Sequence, residues 1–126
     1  MVTTRPDLVE PELSKIVFDA FYAVYRELGY GYLERVYENA LMIALRGSGV
    51  DPVQQASLVV RYRGHVVGEY RADIIIPGRL LIEVKSATVL TSAHEGQLLN
   101  YLRATGLPLG MILNFGPRPT AKRRVN

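Results

Sequence analysis

Residues Tyr70–Lys85, reading YRADIIIPGRLLIEVK, constrain this chain more than any other stretch. Two apolar runs flank a Pro77-Gly78 turn, so the segment reads as a β-hairpin. Side chains alternate across a strand. In the second run Leu80, Ile82 and Val84 therefore form a core face, while Leu81, Glu83 and Lys85 share the other. In the first run Ala72, Ile74 and Ile76 point one way, and Arg71, Asp73 and Ile75 the other.

Register decides whether the two acids meet. A loop of Pro77-Gly78 alone pairs Ile76 with Arg79 and sends Asp73 and Glu83 to opposite faces. A loop of Pro77-Gly78-Arg79 pairs Ile76 with Leu80, matches the isoleucines to Leu80 and Ile82, and sets Asp73 across from Glu83. Apolar matching favours the second register. Two facing carboxylates repel unless a cation lies between them, and Mg²⁺ is held by one or two carboxylates with water and phosphate oxygens. The alternative is an exposed face on which Arg71, Glu83 and Lys85 form a cross-strand salt-bridge ladder.

The chain has 126 residues, 48% of them apolar, which suits one domain with a real core. It contains no cysteine, which removes disulfides, zinc thiolates and a cysteine nucleophile. The net charge of +3 is compatible with a polyanionic partner. No apolar run is long enough to span a membrane and the N-terminus has no signal-like segment, so the expected location is cytoplasmic.

Residues 1–10 read as a disordered lead-in, 11–116 as the domain, and 117–126 as a mobile basic tail. Two helical stripes come first: Leu13, Ile16, Val17, Ala20, Phe21, Val24 and Leu28, then Leu33 through Leu45 after the Gly29-Tyr30-Gly31 break. The period then changes to two. Ser57–Tyr62, Val66–Ile76 and Arg79–Ser86 form a three-stranded antiparallel meander. Ser92 and Glu95 suggest a capped helix over Ser92–Thr105, and Leu109–Phe115 is the last strand. The fold class is α/β.

Asp on one strand followed by Glu-x-Lys on the next, within this element order, resembles the core of the PD-(D/E)-x-K nuclease superfamily. Gly31-Tyr32-Leu33-Glu34-Arg35-Val36-Tyr37 is similar to the signature of its GxxExxY branch, and Gln97 with Tyr101 matches a Gln-x-x-x-Tyr motif of several of its nucleases. Ala72 stands where the superfamily often has proline. The resemblance implies Asp73 and Glu83 as ligands of Mg²⁺ or Mn²⁺, with Glu34 as a third carboxylate reaching over from its helix. It implies Lys85 as the catalytic lysine, and Gln97 and Tyr101 as catalytic residues on one helix face. The expected activity is metal-dependent phosphodiester hydrolysis of DNA or RNA, with a homodimer or a protein partner supplying specificity. A catalytically inactive nucleic-acid-binding or protein-interaction module on the same fold is the alternative. Read from the residues alone, Glu34 serves the N-terminal dipole of its helix, Tyr37 packs, and Glu38 is a solvated charge.

Overall fold

A computed structural model describes residues 5–126. After a 3₁₀ turn at Pro6–Leu8 come α1 (Pro11–Leu28), α2 (Glu34–Gly47), β1 (Val53–Tyr62), β2 (His65–Ile76), β3 (Leu80–Lys85), α3 (Ser92–Thr105), β4 (Leu109–Phe115) and β5 (Pro119–Val125). The strands form one sheet in the order β1-β2-β3-β4-β5. All pairs are antiparallel except β3–β4, which is parallel, as a strand–helix–strand crossover through α3 requires.

The alternation read from the sequence sorts the sheet into two faces. Helices α1 and α2 cover Ile74, Ile76, Leu80, Ile82 and Val84 together with Leu109, Met111, Leu113 and Phe115. Helix α3 lays Leu98, Tyr101 and Leu102 on Leu58, Ala72, Leu81 and Ile112. Strand β4 is buried along all seven residues, which is why it reads as a continuous apolar run.

The hairpin takes the register that brings the acids together: Ile76 pairs with Leu80, Ile75 with Leu81 and Ile74 with Ile82. Arg79 N donates to Ile76 O at 2.9 Å, and Gly78 has φ +74°. Proline at the first corner and a left-handed glycine at the second make a type II turn.

The expected mobile tail is instead β5, paired with β4 from Leu109↔Val125 to Phe115↔Pro119. Its cations hold it in place. The Arg123 guanidinium donates to Ser14 Oγ at 3.0 Å, Pro6 O at 2.7 Å and Val9 O. Arg124 pairs with Glu95 of α3. Those bonds also order residues 6–9 of the expected lead-in, whose residues 1–4 lie outside the described part. Helix α3 is capped by Thr91 and not Ser92: Thr91 and His94 form the reciprocal box, with Thr91 N donating to His94 Nδ1 at 3.1 Å. His94 is thereby a capping residue.

The Gly31-x-x-Glu34-x-x-Tyr37 stretch is the α1–α2 joint. Gly31 has φ +120°, where any side chain is strained. The Tyr37 hydroxyl donates to Gly29 O at 2.6 Å and accepts from Tyr32 N at 3.1 Å, while its ring stacks on Phe115 with centroids 4.3 Å apart. Tyr37 thus joins the helical joint to the end of strand β4.

Candidate functional site

Strand β2 is twelve residues long and β3 only six. Their ladder ends at Ile74↔Ile82, and beyond it the strands diverge. The Val84 amide, left without a backbone acceptor on β2, donates to Asp73 Oδ2 at 2.7 Å. The alternation of β2 also breaks here. Ala72 packs on the α3 side, whereas Ile74 and Ile76 pack on the other, so the expectation that all three share a face fails. Opposite this step, Gln55 of β1 is left-handed at φ +54°. The irregularity frees the Asp73 carboxylate to turn into the gap between the strands.

Glu83 faces it there. By alternation Glu83 lies on the face of Leu81, under α3, and it is only 6% exposed. Burial first, then the charge of Asp73 and a hydrogen bond with it, push the Glu83 carboxyl up to about 9, while Lys85 opposes the shift and Glu38 adds to it. Near neutral pH Glu83 therefore keeps its proton. Glu83 Oε1 has no hydrogen-bond partner despite its burial. A buried oxygen of that kind carries a desolvation cost that something must offset. The expected alternative ladder does not form: Arg71 donates to Gln55 O at 3.1 Å, and Glu83 makes no ion pair among the described residues.

The remaining expected site residues divide. Lys85 is half-buried, pairs with Asn114 of β4, and its charge is felt at Glu83. Asn114 is buried and bridges Ala87 N and O at 2.8 and 2.9 Å, fixing the chain just after Lys85. Tyr101 comes from α3, 9% exposed, and burial together with the charges of Glu83, Tyr70 and Asp73 raises its hydroxyl pKa. Gln97 is exposed one turn earlier and lines the same cleft as Tyr101.

Glu34 is not brought to the pair. It is exposed in the first turn of α2, where its charge suits the helix N-terminus. The acid that α2 does carry inward is Glu38, expected to be solvated but 4% exposed. Its carboxylate accepts from Gln54 Nε2 and from Gln55 Nε2 at 2.9 Å, with Arg35 at 3.4 Å. The signal was present in the sequence. Glu38, Leu41, Met42 and Leu45 recur at helical spacing, so Glu38 belongs to the inward stripe. Among the described residues, no three histidines or carboxylates converge on one point. The carboxylate pair stands by itself, with Glu38 behind it.

Asp73 and Glu83 fit a hard divalent cation. Both offer oxygen donors, their mutual repulsion is what a cation relieves, and Glu83 Oε1 is an acceptor with nothing to accept from.

A mixed α/β sheet thus carries an acid pair where two strands part, with a lysine two residues on. Residues 11–125 match the PD-(D/E)XK nuclease superfamily, and the chain belongs to it. Among solved structures, SSO0001 is similar over 97% of this chain at 22% identity and a TM-score of 0.61, and this chain covers 61% of that one. A second, named as a candidate exonuclease from Eubacterium rectale, covers 100% of this chain and 60% of its own at 14% identity and a TM-score of 0.40. No curated protein matches. No helix among the described residues is long and apolar enough to cross a membrane.

Proposed function

We propose that this chain hydrolyses phosphodiester bonds of nucleic acid with the help of Mg²⁺ or Mn²⁺, as a member of the GxxExxY branch of its superfamily. The observation that carries the reading is the buried, unpartnered oxygen of Glu83 facing Asp73. These two carboxylates would hold the ion. A divalent cation there supplies Lewis-acid polarisation of a phosphoryl oxygen and charge neutralisation.

The chain's own residues do the rest. Asp73 is aimed by its bond from the Val84 amide. Lys85, on the same face as Glu83 and two residues on, places an ammonium where negative charge grows on the attacked phosphate. Gln97 donates and accepts at the mouth of the cleft and orients the water or the phosphate. The Tyr101 hydroxyl keeps its proton and acts as a donor. In the reaction, the oxygen of water bonds to phosphorus, the ester P–O bond breaks, and the leaving oxygen takes up a proton. Glu38 replaces Glu34 as the acid of α2 that conditions the pair. It acts electrostatically and by holding Gln54 and Gln55 at the irregular step opposite Asp73.

The test is cleavage of labelled DNA and RNA, single- and double-stranded, in Mg²⁺ or Mn²⁺. Asp73→Asn and Lys85→Ala should each lose cut product while keeping the circular-dichroism spectrum and melting cooperativity of the parent. Cleavage by Lys85→Ala at the parent rate removes the role given to the lysine. Cleavage by both variants at that rate removes the site.

A further inference from the structure

A cleft of about 980 Å³ opens between the β1–β2 hairpin and α3, and Tyr101 is common to it and to the acid pair. Its chemistry is specific. Tyr70, 45% exposed, tilts against Tyr101 with ring centroids 5.3 Å apart and presents aromatic surface to the cleft. Arg61 from β1 and Arg103 from α3 line it, and neither pairs with a carboxylate among the described residues. Gln97 and Asn100 offer amides along α3. Gly96 directly precedes Gln97 in the helix, where glycine is less favourable than alanine. A Cβ there would touch nothing, so packing does not require the glycine, and its absent side chain leaves the cleft open.

We propose that this cleft receives an unstacked nucleotide of a single-stranded segment, with a base on Tyr70, the Asn100 amide at its edge, and the flanking phosphates at Arg61 and Arg103. The inference rests on the hydrolytic reading and names its substrate class. A duplex keeps the faces of its bases covered by stacking, so an aromatic ring set in a cleft has no use for it. A single strand offers every base face, and one aromatic contact of this kind strengthens binding about fivefold to a hundredfold. Guanidinium groups on two elements meet the phosphates on either side of the base. The same surface serves DNA and RNA, which share these groups.

The measurement is fluorescence anisotropy of a labelled 20-nucleotide strand, as DNA and as RNA, and of the matching blunt duplex, with the full chain in EDTA at low salt. The single strand, in at least one of the two sugars, should bind at least tenfold more tightly than its duplex. Tyr70→Ala should weaken it about tenfold or more and leave duplex binding unchanged, while Tyr70→Phe should restore it. Gly96→Phe, which fills the cleft where a side chain meets nothing, gives a second reading if Tyr70→Ala fails to fold, and it should abolish the strand preference. Equal affinity for strand and duplex, or Tyr70→Ala and Gly96→Phe both binding the strand as the parent does, overturns the proposal. Because EDTA removes turnover, these outcomes are separate from the cleavage test. Strand binding without cleavage in Mg²⁺ sinks only the hydrolytic reading, and cleavage without strand preference sinks only the cleft.

Discussion

Replacing Glu83 by glutamine should make the metal-free protein more stable at neutral pH, by an amount that grows with pH. In the folded chain the Glu83 carboxyl keeps its proton up to about 9, against 4.5 for the ordinary group. The folded state therefore binds more protons than the unfolded state throughout that window, and stability falls as pH rises through it. At about 1.36 kcal/mol per unit, the two and a half units from 4.5 to pH 7 cost the parent ~3 kcal/mol. Glutamine has the shape of the protonated acid and nothing to ionise. Its amide can still donate to Asp73, so Glu83→Gln should match the parent near pH 4.5 and exceed it by ~3 kcal/mol at pH 7. For a chain of this size that is a rise in Tm of roughly 10 °C. Urea unfolding in EDTA at several pH values is the assay, and only the difference between the two proteins matters, since all other titrations cancel in it. Parallel stability profiles, or a glutamine variant weaker than the parent at pH 7, would refute the claim that Glu83 is held protonated by burial and Asp73.

Two further outcomes follow from the same structure. Calorimetric titration with Mg²⁺ should show close to one proton released per ion bound below pH 8, and an apparent affinity rising about tenfold per pH unit. Buffers of different ionisation enthalpy measure the release, and Glu83→Gln should release none. Arg123→Ala should lower stability by about 1.5–3 kcal/mol in urea unfolding, because its guanidinium serves Ser14, Pro6 and Val9 together, while cleavage per folded molecule stays unchanged.

What could be read from the sequence is what alternation and helical spacing govern. Ile74, Ile76, Leu80 and Ile82 fix the register of the hairpin because a one-residue slip would turn every isoleucine away from the core, and that register brings Asp73 to the level of Glu83, where the irregular step turns it inward. The bounds of α1 and β4 were readable for the same reason, and those of α3 from cap signals around Ser92 and Glu95, although Thr91 and His94 make the box. Strand β5 was not, because Lys122, Arg123 and Arg124 show no apolar alternation. Its order comes from pairing on a sheet edge and from carbonyls more than a hundred residues away. The break at Asp73 was hidden too, since an irregular step opposite a left-handed glutamine has no compositional mark. On α2, helical spacing marks Glu38 as the inward acid, while the motif residue Glu34 faces solvent at the helix start.

The buried acid on β3 has a consequence over evolutionary time. In a lineage that no longer needs the activity, replacements at position 83 that remove the charge are rewarded with a sturdier protein, so drift erodes this position ahead of the surrounding scaffold. Inert descendants of such a chain would keep the strands, the helical joint and the cleft, and would differ first by a neutral residue where Glu83 now stands.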